Sequence, residues 1–221
     1  MNLTIGILPA AGSASRMNGI PKFLLPTRQD GRSLLERHID QMDEFVDQIW
    51  IPTRPEFVHL ITSLNLGSKV IVVGINTKTM SETVLHVTSF SQGDKFLLGL
   101  PDSYFHGVNP YVGLIDSELN LQLAGFKIRT DQQGKLGQFE IIGERVVDVV
   151  DKSLDCKYEQ AWGAISFTQE FVNLIRAEES HVGIAFSRAL SSFQVGANIL
   201  DTRYFDCGTP SEYFMMLQET L

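Results

Sequence analysis

Leu3-Thr-Ile-Gly-Ile-Leu-Pro-Ala-Ala-Gly-Ser-Ala-Ser-Arg-Met17 divides into two contrasting halves. Leu3–Leu8 is an apolar run stopped by Pro9, the pattern of a strand buried on both faces of a parallel sheet. The second half is an unbroken series of small residues, Ala10–Ser15, followed by Arg16. Small side chains let backbone N–H groups approach phosphate oxygens closely, so Ala10, Ala11, Gly12 and Ser13 are candidates for a phosphate cradle. Arg16 and, further on, Lys22 would supply the cations. The stretch contains no Gly-Lys-Ser/Thr of a Walker A loop, and Gly12 alone stands where a dinucleotide fingerprint needs three glycines. A small-residue turn with two solvated cations fits the local pattern equally well.

Working outward, runs of strand length alternate with segments of helical period. Ser33-Leu-Leu-Glu36 reads as a capping box, after which Leu35, Ile39, Met42 and Val46 fall near one helical face. Gln48–Ile51 reads as a strand, Glu56–Leu64 as a helix and Lys69–Val73 as a strand. Thr79-Met-Ser-Glu82 repeats the capping pattern and opens a helix to about Phe90, and Lys95–Leu100 is a further apolar strand. This rhythm predicts an α/β fold with a mixed, mostly parallel central sheet and helices on both faces. In the second half, Leu121–Ile128 and Ala161–Phe167 read as strands, and Gln138–Ile142 and Arg145–Asp151 as a hairpin turning at Gly143-Glu144. Gln169–Ala177 and Gly183–Ser192 have helical patterns, and Gln194–Ile199 suits a short strand. Thr209-Pro-Ser-Glu212 joins an N-cap, a first-turn proline and a capping Glu at the head of a last helix.

No repeat or linker interrupts the 221 residues, so one domain over 1–221 is expected. A net charge of −8 argues against a nucleic-acid-binding face, which needs clustered Lys and Arg, but leaves room for a triphosphate bound by a few local cations. The N-terminus lacks the basic region of a signal peptide, and no apolar stretch approaches membrane-span length. A soluble, cytoplasmic chain whose two cysteines, Cys156 and Cys207, stay reduced is the expectation, and a homo-oligomer is compatible with it.

Ligands of open α/β sheets bind at the carboxyl ends of strands. Two such ends carry acidic residues. Asp102 follows the buried run Phe96-Leu-Leu-Gly-Leu-Pro, and Asp206 lies in Arg203-Tyr-Phe-Asp-Cys-Gly-Thr-Pro210. Carboxylate oxygens there suit a hard cation such as Mg²⁺, although a turn or cap carboxylate is the competing local reading.

Together these strings bear a family likeness. The small-residue loop with Arg16, then Pro21-Lys-Phe-Leu-Leu-Pro26, Leu100-Pro-Asp102 and Phe205-Asp-Cys-Gly-Thr-Pro210, resembles the nucleotidyltransferases that make nucleotide sugars, the glucose-1-phosphate thymidylyltransferase and uridylyltransferase group. Ala10, Ala11, Ala14 and Ser15 stand where that family usually has Gly, Gly, Gly and Thr. The spelling Pro-Ala-Ala-Gly is also similar to the cytidylyltransferases of isoprenoid synthesis.

The resemblance implies a Rossmann-like, GT-A-type nucleotidyltransferase fold. It assigns catalytic roles to Arg16, Lys22, Asp102 and Asp206, with Asp102 and Asp206 holding Mg²⁺. It places the nucleotide on Ala10–Ser13 and on Met80 and Ser81, where the family's nucleobase-lining residues are replaced. Gly137, Asp151, Lys152 and Gly163 would meet the sugar phosphate, Asp151 standing for a Glu. The implied reaction joins an NTP to a sugar 1-phosphate, giving an NDP-sugar and pyrophosphate. Two alternatives stand beside it: a cytidylyltransferase acting on a polyol or amino-alcohol phosphate, and a non-catalytic nucleotide-sugar-binding regulatory homologue. Cys207 is expected to be a buried small residue, not a nucleophile. The sequence stops one helix after the Asp206 string, and a chain without the C-terminal extension of many relatives is the expectation.

Overall fold

The structure, a computed structural model, describes residues 3–12, 17, 19–27 and 30–220. The opening apolar run forms β1 (Thr4–Ile7), which lies between β2 (Gln48–Thr53) and β4 (Lys95–Gly99) and is parallel to both. Beyond β2 the sheet ends in β3 (Val70–Gly74). On the other side of β4 come β9 (Gln160–Thr168), β6 (Leu121–Lys127), β10 (Gly196–Leu200), β8 (Arg145–Asp151) and β7 (Gly137–Ile142). Seven of these nine strands point the same way, and β8 and β9 are reversed. The expected mixed, mostly parallel sheet is therefore the one observed.

Alternation along the central strands puts side chains on two faces, and each face is roofed by helices. Ile5, Ile7, Phe96 and Leu98 pack with Val84 and Val87 of α3 (Met80–Ser91), Phe171 of α4 (Gln169–Val172) and Phe186 of α5 (Phe186–Ser192). Leu8, Leu97, Ile49 and Ile51 face the other way, onto Leu35, Ile39 and Met42 of α1 (Leu34–Met42) and Ile61 of α2 (Val58–Thr62). Truncating one of these fully buried Leu or Ile side chains to Ala would cost about 2–5 kcal/mol.

The capping reading at Ser33 holds in both directions: its hydroxyl accepts from Glu36 N–H, and the Glu36 carboxylate accepts from Ser33 N–H at 2.8 Å. At α3 Thr79 accepts from Glu82 N–H, but the Glu82 carboxylate takes Lys78 N–H. The β7–β8 hairpin turns at Gly143, whose φ of +63 needs glycine's freedom. Three expected helices are shorter or begin as 3₁₀ turns: Pro55–Phe57 precedes α2, Val182–Ala185 precedes α5, and α4 stops after four residues.

One element goes beyond the sequence reading. β5 (Ser103–Phe105) and β11 (Tyr204–Asp206) form a separate antiparallel ribbon, pairing Ser103 with Asp206 and Phe105 with Tyr204. One ribbon face, Tyr104 and Phe205, packs with Leu34 and with Tyr213 and Met216 of α6 (Pro210–Glu219). The other, Phe105 and Tyr204, packs on Phe126 and Ala161. Nonlocal pairing of three residues with three, about a hundred positions apart, leaves little periodicity to recognise in sequence.

Candidate active site

Pro21 is extended, and a single 3₁₀ turn, Lys22–Leu24, follows. The turn buries Phe23 at its centre and leaves Lys22 to the side. Leu34 N–H donates to Leu25 C=O, and the Tyr213 hydroxyl donates to Pro26 C=O at 2.8 Å, tying this segment to α1 and α6. Lys22 Nζ consequently lies 3.8 Å from Asp102 Oδ2, its side chain 14% exposed and that of Asp102 34%. Asp102 sits in the turn between β4 and β5, and its carbonyl accepts from Cys207 N–H at 2.9 Å. That bond and the Ser103–Asp206 pairing bring Asp206 alongside. Gly208 N–H donates to Asp206 Oδ1 at 3.1 Å. A Cβ at Gly208 would lie 2.7 Å from Asp206 Oδ1 and 3.4 Å from Lys22 Nζ, so a side chain there would push on the Asp206 carboxylate.

Lys22, Asp102 and Asp206 thus meet at the carboxyl edge of the sheet, as the sequence predicts. Two neighbouring carboxylates suit Mg²⁺, which is usually held by one or two carboxylates with substrate phosphates completing its shell. Among the described residues no group of three or more His, Cys, Asp or Glu is placed to hold a metal ion. Cys207 is fully buried, and burial, then the Asp102 and Asp206 charges, push its thiol well above the usual range. A thiol held protonated is a poor nucleophile, as expected.

The phosphate-cradle residues divide. Ala10 is buried, donates its N–H to Pro52 C=O at 2.9 Å and accepts from the Thr53 hydroxyl, so its amide is committed to the sheet and corrects the expectation of a free donor there. Ala11 is half-buried and Gly12 exposed, with open space where a Cβ would lie. Ser13 and Arg16 lie outside the described residues. Met80 and Ser81 form the first turn of α3. The Met80 N–H donates to Ser180 C=O, while the buried Ser81 Oγ has no hydrogen-bond partner among the described residues.

A second cleft, of about 180 Å³, is lined by Gly137, Asp151, Trp162, Gly183 and Phe186, so two of the four residues expected at the sugar phosphate share it. Asp151 accepts from His181 Nε2 at 3.2 Å, and this bond, outweighing partial burial, holds its carboxyl below the usual range. A Cβ at Gly137 would come 2.6 Å from Trp162 Nε1. Lys152 follows with φ +48 and is exposed. Gly163 instead backs onto the buried rings of Phe105 and Tyr204, its missing Cβ making room for Phe105.

Several site residues escaped the sequence reading. His38 is fully buried on α1, with Nδ1 2.6 Å from the Tyr111 hydroxyl and Nε2 3.0 Å from Ser103 C=O. Burial lowers its pKa to about 4, so the ring is neutral, donates from Nε2 and accepts from Tyr111. It braces the residue next to Asp102. Its position on the apolar stripe with Leu35 and Met42 was the available signal. Trp162 and His181 carried no local pattern.

Residues 6–108 match the MobA-like NTP transferase domain. Among curated proteins no sequence matches the chain. Solved structures supply the wider likeness. A Bacillus anthracis protein assigned as a glucose-1-phosphate thymidylyltransferase, solved with sucrose, superposes with a TM-score of 0.84 at 16% identity, covering 98% of this chain and 95% of that one. The inositol-1-phosphate CTP transferase of T. maritima gives 0.79 at 18%, covering 100% and 97%. A UTP-bound UDP-glucose pyrophosphorylase from Acinetobacter baumannii gives 0.78 at 17%, covering 98% and 93%. The fold is therefore the Rossmann-like, GT-A-type fold of nucleotidyltransferases. No helix among the described residues is long and apolar enough to cross a membrane.

Proposed function

We propose that this chain is a Mg²⁺-dependent nucleotidyltransferase that joins an NTP to a sugar 1-phosphate and releases pyrophosphate. The observation that carries this reading is the convergence of Lys22, Asp102 and Asp206 from three distant segments onto one edge of a nucleotidyltransferase fold. An oxygen of the acceptor phosphate attacks the α-phosphorus, the new P–O bond forms, and the α–β bridging bond breaks with its electron pair leaving on pyrophosphate. The attacking phosphate is already anionic at neutral pH, so no side chain need remove a proton. Positioning and charge neutralisation dominate such a transfer.

Lys22, one-seventh exposed and 3.8 Å from Asp102, would stabilise the transferring α-phosphate charge as it develops. Asp102 and Asp206 would hold the metal, which when bound supplies Lewis-acid stabilisation at the α-phosphate. Arg16 would stabilise the departing pyrophosphate, and Lys152 the attacking phosphate. The cleft between Asp151 and Trp162 offers a carboxylate acceptor for hydroxyls beside an apolar indole face, the pairing a sugar ring uses. The resemblance to sugar-phosphate and inositol-phosphate enzymes supports an acceptor of this polyhydroxylated kind.

The test is pyrophosphate release over a panel of CTP, UTP, dTTP, ATP and GTP against glucose 1-phosphate, other sugar 1-phosphates, inositol phosphate and amino-alcohol phosphates. One pair should turn over with Mg²⁺, and D102N and D206N should each lose at least a hundredfold in kcat/KM. Undiminished turnover in both variants would overturn the metal assignment. Nucleotide-sugar binding without turnover on any pair would favour the regulatory homologue.

A further inference from the structure

β11 is three residues long and, among the described residues, pairs with β5 alone, yet it carries Asp206 at its last position. Asp206 is flanked by contacts to one side chain. Arg129, two residues beyond β6, donates from one terminal nitrogen to Tyr204 C=O at 2.6 Å and lays its guanidinium over the Phe205 ring, 5.1 Å from the centroid. Its other terminal nitrogen donates to both Glu212 carboxylate oxygens, at 2.7 and 2.9 Å, and reaches Asp131, which also takes Nε. Gln132 reinforces the grip, donating to the same Tyr204 carbonyl at 2.9 Å while accepting from Arg129 N–H. Arg129 and Glu212 side chains are each only 15% exposed. The guanidinium therefore seizes the two residues before Asp206 and the first turn of the helix after it.

Glu212 shows the same bias. Its place three residues after Thr209 is that of a capping Glu, which ordinarily reaches back to the N-cap amide. Thr209 does accept from Glu212 N–H, but the carboxylate is on Arg129 instead.

From this geometry we infer that Arg129 is a positioning residue for the metal-binding Asp206, acting through Tyr204, Phe205 and Glu212 without touching substrate. The inference rests on the reading of Asp206 as a Mg²⁺ ligand given above. Partners that orient metal ligands are commonly worth 10–100-fold in metal affinity. A lysine cannot replace the planar fork that holds a carbonyl, a ring and a carboxylate at once.

The experiment titrates the full chain with Mn²⁺ alone, reading free ion by its EPR signal, for the wild type and for D206N, R129A, R129K and E212Q. Circular dichroism confirms that each is folded at the working temperature. Expected are at least a tenfold loss for D206N, about a tenfold loss for R129A, nearly the same for R129K, and about threefold for E212Q. A purely structural role would lower thermal stability in R129A yet leave the folded protein's Mn²⁺ affinity within twofold of wild type. That result, with D206N still losing tenfold, overturns the positioning role and leaves the metal reading intact. Unchanged affinity in D206N overturns the metal reading itself. If R129A fails to fold, wild-type affinity in E212Q is the result that overturns the inference.

Discussion

Acidification should weaken this protein through His38 before its carboxylates titrate. The ring is fully buried, donates from Nε2 to Ser103 C=O and accepts at Nδ1 from Tyr111, so a second proton would put a charge out of reach of water and within the repulsion of Arg37. Tyr111 cannot retreat easily, because its hydroxyl fills the space beside Gly99 where any Cβ would lie. With a folded-state pKa near 4 against about 6.5 in the unfolded chain, the group has no effect on stability above about pH 7. As the pH falls below about 6.5 the unfolded chain binds a proton that the native state refuses, and stability drops until about pH 4. The linkage relation puts the loss at about 2 kcal/mol by pH 5. Urea denaturation followed by Trp50 and Trp162 fluorescence at pH 7.5, 6.5, 5.5 and 5.0 measures it. The H38Q variant, whose amide offers the same donor and acceptor without titrating, should lose less than about 0.5 kcal/mol over that range. Carboxylates with depressed values, such as Asp131 and Glu179, lose their contribution at lower pH and cancel in the comparison. Equal losses in wild type and H38Q would refute the reasoning, as would an NMR titration of His38 near 6.5.

Gly208→Ala should abolish at least 90% of turnover while lowering stability by no more than about 2 kcal/mol, because its Cβ would displace the Asp206 carboxylate; steady-state kinetics with thermal melting checks this. Gly137→Ala should raise KM for the acceptor by about tenfold with KM for the NTP unchanged, since its Cβ pushes on Trp162 in the cleft; an equal rise in both would place the cleft's role elsewhere. Cys207 should resist iodoacetamide at pH 8 in the native protein and react on unfolding, as mass spectrometry would read, and Cys207→Ser should keep most of the activity.

The local sequence determined a good deal of this molecule. Apolar runs of strand length at Leu3–Leu8 and Lys95–Leu100, with caps at Ser33, Thr79 and Thr209, marked where the sheet and its helices begin, because capping and strand burial depend on residues close in the chain. Lys22, Asp102 and Asp206 were readable because their strings resemble those of the nucleotidyltransferases that make nucleotide sugars; by local pattern alone a turn, a cap or a solvated charge fitted as well. Only the tertiary structure decided what depends on distant segments meeting. It committed the Ala10 amide to β2, turned Gly163 toward Phe105, and set Trp162 and His181 beside Asp151. It paired Ser103 with Asp206 across a hundred residues and placed His38 and Arg129 behind the two aspartates. A side chain's partner across such a separation leaves no period or spacing in sequence, since packing of the whole chain sets it.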